Sequence, residues 1–189
     1  MKQRIYQVTY AGHPVRYRFQ YPATRWNFRS YIRRCDGEEY DVCSSPEWIE
    51  QARPLLPPDS SDAYVEYRTL IELTARALLK FDCCIFHSVS FVWRGKAYLL
   101  TAPSGTGKTT QYFNWQRLFP GEIEMICGDM PVIERVSTGA VRVHPSCWNG
   151  KENFSGTASG LLVGLVVLKQ GSQNQMEKST PSQVLPVLF

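Results

Sequence analysis

The segment between Tyr98 and Thr110 joins an apolar stretch to a predicted helix through a loop of small residues, with the sequence YLLTAPSGTGKTT. Gly107, Lys108 and Thr109 open the helix. Backbone N–H groups of such a loop, aided by the positive end of the helix dipole, bind phosphate. We expect Lys108 to contact the β- and γ-phosphates of a nucleotide and the Thr109 hydroxyl to bind Mg²⁺.

This pattern is that of a P-loop, with Ala102 where the first glycine is usual. A chance glycine-rich turn is the alternative, and the order of strand, loop, lysine and helix argues against it. No motif selects between adenine and guanine, so the expected ligand is ATP or GTP with Mg²⁺. The residues expected to bind it are Pro103, Ser104, Gly105, Thr106, Gly107, Lys108, Thr109 and Thr110.

A P-loop also needs a carboxylate that completes the Mg²⁺ shell or accepts a proton. Asp129 follows the short apolar segment Met125–Cys127, and a parallel neighbouring strand would bring it to the mouth of the P-loop. A turn at Gly128–Asp129 is the alternative. His87 lies among apolar and small residues of a predicted strand, where a core role and a catalytic role both fit.

The polar, turn-rich segment from His144 to Asn153 follows these residues. Lys151 could meet a phosphate or an acidic substrate, and Glu152 beside it is a second candidate for a substrate contact. A plain surface loop fits the composition equally well.

The elements that must position these residues are predicted from hydrophobic periodicity and turn signals. Residues 1–60 are predicted to be a small β-rich lobe, and the Pro-, Ser- and Asp-rich segment 53–62 is the predicted linker to a core over 64–189. In that core we expect helices over 64–80 and after the P-loop, strands over 83–90 and 91–101, a hairpin of 131–134 with 141–144, a β-rich run over 160–168, and a short helix from Pro181. The fold class is therefore α/β, a mixed sheet with flanking helices.

The composition is globular, with 43% hydrophobic and 20% charged residues and a net charge of +4. Six cysteines without a CxxC spacing predict free thiols rather than a metal site. Arginines near the amino-terminal end could meet nucleic acid, but a solvated sheet face explains them better. No apolar stretch reaches the roughly 20 residues of a membrane span, and no apolar segment follows Met1–Arg4. We therefore expect a cytoplasmic protein without a membrane partner.

Four segments together resemble the catalytic core of HPr serine kinase/phosphorylase, which shares its P-loop core with ATP-dependent phosphoenolpyruvate carboxykinase. They are Phe86–Ser90, Arg94–Lys96, Leu99–Thr110 and Cys127–Asp129. The resemblance covers roughly residues 66–170. Carried over, it gives His87 the family's histidine role, Lys108 and Thr109 the phosphate and Mg²⁺ roles, and Asp129 the role of a base that also helps to hold Mg²⁺. The loop Trp148–Glu152 is similar to one in HPr-kinase-like proteins of modified-peptide clusters, including lasso-peptide kinases.

The resemblance implies a kinase that phosphorylates a hydroxyl, either a serine of a peptide or a small molecule, and a homo-oligomer is possible because HPr kinases form hexamers. Met130 departs from the family, which often has a second Asp there. The region that recognises HPr is not evident, so HPr itself is not the expected acceptor. The alternatives are a non-catalytic nucleotide-binding module and a plain NTPase.

Overall fold

The structure, a computed structural model, describes residues 4–137, 139–150 and 152–188. It is a mixed α/β fold with two mixed sheets. The first sheet has four strands in the order β3-β1-β2-β4, namely β1 (Ile5–Tyr10), β2 (His13–Arg18), β3 (Arg33–Cys35) and β4 (Val42–Cys43). Of two short helices, α1 (Pro22–Asn27) connects β2 to β3, and α2 (Pro46–Ala52) follows β4.

The second sheet has seven strands in the order β5-β9-β10-β11-β7-β6-β8. They are β5 (Cys83–Ile85), β6 (Val89–Trp93), β7 (Lys96–Thr101), β8 (Ile123–Cys127), β9 (Val132–Arg135), β10 (Val141–His144) and β11 (Gly160–Val167). β7 pairs in parallel with β11 and antiparallel with β6. The sheet curls, so that β8 at its edge contacts β10 and encloses a small apolar cluster.

Three longer helices complete the fold: α3 (Asp62–Leu78), α4 (Lys108–Leu118) and α5 (Pro181–Leu188). The Ser61 side chain caps α3 by accepting the N–H of Tyr64. α4 follows the P-loop strand and packs on β6 and β7. No helix within the described ranges has both the length and the apolar character that crossing a bilayer requires.

The predicted hairpin of residues 131–134 with 141–144 is confirmed as β9 and β10. The predicted strands over 83–90 and 91–101 were wrong in their bounds, because residues 86–88 leave the sheet between β5 and β6 and a turn at Arg94 and Gly95 separates β6 from β7. The expected direct pairing of the Asp129 strand with the P-loop strand was also wrong. β6 lies between β7 and β8, since β11 already occupies the other edge of β7.

The largest apolar cluster contains residues from both predicted parts of the chain. Its buried members are Val8, Tyr10, Val15, Tyr17, Phe28, Val42, Leu70, Leu78, Cys83, Val132, Cys147 and Trp148. A buried chain of polar contacts crosses it from the Thr74 hydroxyl to that of Tyr17 (2.7 Å), from Tyr17 to Tyr10 (2.8 Å) and on to the Cys147 thiol (3.0 Å). Burial raises the pKa of both tyrosines, so both remain phenols. This chain ties α3 and the first sheet to the loop before Trp148.

The carboxylate of Glu66 on α3 is fully buried and fixes that helix to the first 45 residues. It accepts the backbone N–H groups of Gln20 (2.6 Å) and Tyr21 (3.1 Å) and the Ser44 hydroxyl (3.0 Å). A buried carboxylate persists when such donors replace its hydration shell. The position of α3 therefore depends on Glu66.

Replacing Glu66 with glutamine is expected to lower the free energy of unfolding by about 2 kcal/mol, because an amide N–H₂ group then faces donors. Urea denaturation measures the change. Glu72→Gln on the same helix is the matched control, since Glu72 is exposed and Arg76 is its ion-pair partner among the described residues, and it should change stability by less than about 0.5 kcal/mol. Equal stability of the two variants would contradict the prediction.

Candidate functional site

The loop from Ala102 to Gly107 connects β7 to α4 and turns at two glycines. Gly105 and Gly107 have φ values of 82° and 108°, a region that residues with a side chain rarely adopt. Thr106 closes the loop, as both its N–H and its hydroxyl donate to the Pro103 carbonyl. The first N–H groups of α4 face no other part of their own helix and are free to meet phosphate.

Lys108 extends from the first turn of α4 back over this loop. Its ammonium is buried and donates to the Ala102 carbonyl at 2.9 Å. Burial lowers the pKa of Lys108, and the carboxylates of Asp129 and Glu152 act in the opposite direction. Two negative groups therefore lie within electrostatic reach of the one buried ammonium.

Asp129 comes directly after β8 and is held by its backbone on both sides. Its carbonyl accepts the N–H of Ser88 at 2.7 Å. The neighbouring Gly128 and Met130 donate their N–H groups to the carbonyls of Phe154 and Trp148. Ser88 lies in the link between β5 and β6, and Trp148 and Phe154 lie in the connection between β10 and β11, so the position of Asp129 is set by contacts between distant segments.

His87 lies in the 86–88 link and forms an ion pair or hydrogen bond with Asp129, with 3.2 Å between Nε2 and Oδ1. The His87 carbonyl accepts the hydroxyl of Thr101, the last residue of the P-loop strand, at 2.9 Å. The link is therefore fastened to the P-loop strand on one side and to the Asp129 segment on the other. His87 occupies one carboxylate oxygen of Asp129 and leaves Oδ2 for another partner.

Gly150 lies beside that second oxygen. A Cβ atom added there would come within 3.0 Å of the Asp129 Cβ and 3.2 Å of Oδ2, and the residue has a φ of 70°. Glycine at this position thus keeps Oδ2 accessible from the cavity. The adjacent Asn149 is buried and its amide contacts the Tyr31 hydroxyl at 2.6 Å, which anchors this turn to the segment between α1 and β3.

The Gly150→Ala variant is expected to slow any reaction that uses the Asp129 carboxylate by roughly 30-fold, because a methyl group displaces Oδ2 by a few tenths of an ångström. Nucleotide affinity should be unchanged. Gly121→Ala is the matched control, as Gly121 has a similar φ of 78° and open space around it. Turnover and nucleotide affinity are measured for both variants. Equal losses of turnover in Gly150→Ala and Gly121→Ala would show that backbone strain alone causes the effect.

Glu152 brings a second carboxylate to the start of α4. Its Oε2 atom lies 3.4 Å from the Thr109 hydroxyl. Thr109, Asp129 and Glu152 therefore offer only hard oxygen donors, which is the ligand type that Mg²⁺ prefers. Among the described residues no three His, Cys, Asp or Glu side chains come together to hold a metal without help, so a metal here would also need phosphate oxygens or water.

These residues line one cavity of about 810 Å³, a size that suits a nucleotide-sized ligand. Of the predicted P-loop residues, Ser104, Gly105, Gly107, Lys108, Thr109 and Thr110 line it, whereas Pro103 and Thr106 do not. His87, Asp129 and Glu152 line it as well. Lys151, the other substrate residue predicted from the sequence, lies outside the described residues.

One wall of the cavity was missed by the sequence reasoning. Four residues of α3 line it, namely Tyr64, Tyr67, Arg68 and Ile71. Their spacing of i, i+3, i+4 and i+7 places them on one face of the helix, and that periodicity was visible in the sequence. Trp148 joins this wall, packed edge-to-face against Tyr67 with 5.1 Å between the ring centroids.

A comparison of the sequence with models of known protein families found no match, and a comparison with curated proteins found none either. Function is therefore argued from the site alone.

Proposed function

We propose that this chain is a nucleotide-dependent, Mg²⁺-requiring phosphotransferase of the HPr kinase and phosphoenolpyruvate carboxykinase type, which transfers the γ-phosphate of ATP or GTP to a hydroxyl group. One observation carries the proposal: a P-loop lysine, a carboxylate and the histidine paired with it line the same cavity, although they come from three separate segments. The position of the P-loop strand inside a mixed sheet also agrees with the proposed fold type.

The nucleotide phosphates would bind to the backbone N–H groups of the loop from Ser104 to Thr109. Lys108 is held over this loop by the Ala102 carbonyl, and its ammonium would contact the β- and γ-phosphates there. Such positioning is the main contribution of the protein to phosphoryl transfer, since the transition state needs stabilised charge rather than covalent help.

The Thr109 hydroxyl, the Asp129 carboxylate and Glu152 are the residues that would hold Mg²⁺. The bound ion would neutralise charge on the phosphate oxygens. Glu152 would supply a second carboxylate in this chain, where Met130 packs against the largest apolar cluster and offers none.

Asp129 would act as the base. The acceptor oxygen attacks the γ-phosphorus and forms a new P–O bond, while the bond from that phosphorus to the β–γ bridging oxygen breaks and its electron pair leaves with the nucleoside diphosphate. The acceptor proton passes to Oδ2 of Asp129. His87, 3.2 Å from Oδ1, would fix the orientation of the carboxylate and stabilise charge near the transferred group.

The Glu152→Gln variant is expected to raise the Mg²⁺ concentration needed for half-maximal activity about tenfold, because one charged ligand becomes neutral. A Mg²⁺ titration at saturating nucleotide measures this. Glu124→Gln is the control, since Glu124 is exposed on β8. An unchanged Mg²⁺ requirement in Glu152→Gln would remove Glu152 from the metal site.

A non-catalytic nucleotide-binding module is the second candidate, and the apolar environment of Met130 favours it. A plain NTPase, with water as the acceptor, is the third. Titration of the purified chain with Mg²⁺-ATP, Mg²⁺-GTP and pyrophosphate, followed by assays of phosphate release with and without added hydroxyl compounds, separates them. Transfer to an acceptor supports the kinase, release without one supports the NTPase, and binding without turnover supports the module. No binding of any of the three ligands would overturn the proposal.

A further inference from the structure

The net charge of this chain is concentrated in its first quarter. Residues 1–45 contain eight lysine and arginine residues and four aspartate and glutamate residues, so they carry the whole net charge of +4. The rest of the chain contains thirteen residues of each sign. A field of one sign on part of a surface attracts and orients a partner of the opposite charge. The excess positive charge therefore lies in the sequence that forms the first sheet, and not around the P-loop.

One group of arginines in this part of the chain has no carboxylate partner. It is the basic patch, which we define by four arginines of the segment from α1 to β3: Arg25, Arg29, Arg33 and Arg34. No Asp or Glu lies between them in the sequence, and none of the four forms an ion pair with a described residue. By contrast, Arg16 on β2 lies 3.7 Å from Glu39. Because like charges without counter-ions repel each other, a partner that brings carboxylates would stabilise the patch.

The arginines of α1 and of β3 meet at one tyrosine. Tyr6 on β1 lies directly opposite Arg34 on β3, so the two side chains share a face of the sheet, with their Cβ atoms about 5 Å apart. The Arg25 guanidinium lies 5.5 Å from the centre of the Tyr6 ring and donates to its hydroxyl at 2.8 Å. Arg29, one turn further on, lies over the exposed ring of Trp26. The charges of α1 and β3 are therefore neighbours on one surface.

The patch includes a free sheet edge on a fixed backbone. β3 is the outermost strand of the first sheet, and Arg33 and Arg34 alternate between its two faces. Charged side chains on an edge oppose pairing with an apolar or a basic strand, whereas an acidic strand would neutralise them. The segment before β3 is held in place, because Phe28 is buried and the Tyr31 hydroxyl contacts Asn149 at 2.6 Å. Ordered backbone reduces the entropy that is lost on binding.

The surroundings of the patch favour a polypeptide over a nucleic acid. Single-stranded nucleic acids bind by stacking their bases on aromatic faces, but here arginines already lie over the rings of Tyr6 and Trp26. The segment 36–41, which follows β3 directly, contains four carboxylates. These would repel a phosphate backbone that extends past the patch. A short acidic segment of a protein fits between these limits.

We propose that the basic patch is a docking surface for an acidic segment of another protein, bound in an extended conformation along β3. The partner's carboxylates would pair with the guanidinium groups of Arg33 and Arg34, and its backbone would add a strand to the sheet. Trp26 would supply apolar contact at the end of the patch. None of the four arginines is among the described residues that line the nucleotide-sized cavity. This inference therefore goes beyond the proposed function and does not depend on it.

Fluorescence anisotropy with the full chain, in the absence of nucleotide, tests the proposal. The probes are a labelled peptide of alternating glutamate and glycine and its glutamine counterpart, each about eight residues long, which span roughly 28 Å when extended. At low salt we expect the glutamate peptide to bind at least about tenfold more tightly than the glutamine peptide, and its affinity to fall as salt is added. The double variant Arg33→Gln with Arg34→Gln should bind the glutamate peptide about tenfold more weakly than the original chain.

The control is the double variant Lys96→Gln with Arg117→Gln, which removes the same net charge from exposed positions on β7 and α4. It should bind the glutamate peptide as the original chain does, and thermal denaturation shows that both double variants remain folded. Equal affinities for the two peptides, no measurable binding of the glutamate peptide, or an equal loss in the two double variants would each overturn the proposal. So would tighter binding of an oligothymidylate with the same number of charges, which would assign the patch to nucleic acid. Failure of the chain to bind Mg²⁺-nucleotide would count against the proposed function alone.

Discussion

Replacing Asp129 with asparagine should slow γ-phosphate transfer about 10³-fold and leave nucleotide binding nearly intact. Asparagine has almost the same shape, and its amide can keep the contact with His87 that the structure has at 3.2 Å. It cannot accept a proton at the position of Oδ2. The variant therefore removes the base, and because a neutral amide oxygen is also a weaker Mg²⁺ ligand, the assay is run at saturating Mg²⁺. Single-turnover loss of the label from γ-labelled nucleotide measures the effect, with water as the acceptor if no other is in hand.

The control for Asp129→Asn is Asp59→Asn, because Asp59 is exposed in the segment before α3. It should react at the rate of the original chain. An Asp129→Asn variant that turns over normally would exclude Asp129 as the base. A variant that also fails to bind nucleotide would show that the carboxylate acts mainly through the metal.

The backbone conformation of the loop from Ala102 to Gly107 could be predicted because its information is local. A P-loop is a continuous segment, in which glycines, a lysine and the start of a helix follow one another and form the site by their own backbone geometry. Gly105 and Gly107 both adopt the positive φ values for which that pattern selects glycine. The cap of α3 is local in the same way, since Ser61 accepts the N–H of Tyr64 three residues later.

Strand neighbours could not be predicted in the same way. Tight turns at Arg94 and Gly95, both with positive φ, fold β6 directly onto β7. Since β11 returns from far along the chain to the other edge of β7, β8 can only pair with β6. The chain likewise leaves the sheet at His87 because the His87 carbonyl accepts the Thr101 hydroxyl and the Ser88 N–H donates to the Asp129 carbonyl. Both features depend on contacts between distant segments.

The face of α3 that lines the cavity shows a second limit of prediction from the sequence. The helix and its spacing were present in the sequence, but two of its faces carry apolar or aromatic residues. Only the packing of Tyr67 against Trp148 and the burial of Glu66 decide which face meets the cavity. The division into a lobe over 1–60 and a core over 64–189 stays a prediction, and the largest apolar cluster draws residues from both ranges.

Replacing Lys108 with alanine is expected to weaken the binding of Mg²⁺-nucleotide about 100-fold, because two charge-assisted hydrogen bonds to phosphate are lost. Isothermal calorimetry gives the dissociation constant. Lys108→Met is the sharper variant, since it keeps the apolar stem that is buried in the site and removes only the ammonium. Both variants should lose the same affinity if the charge is what matters.

Lys96→Ala serves as the control, as Lys96 is an exposed lysine on the strand that enters the P-loop. Its nucleotide affinity should match that of the original chain. Thermal denaturation of each variant checks that the loss does not come from the Ala102 carbonyl, which Lys108 satisfies. Affinity retained in both Lys108 variants would mean that the loop does not bind phosphate through this lysine. A loss of nucleotide affinity confined to Lys108→Ala would assign the effect to packing. A loss of both nucleotide and pyrophosphate affinity in both variants would place the phosphates at this ammonium.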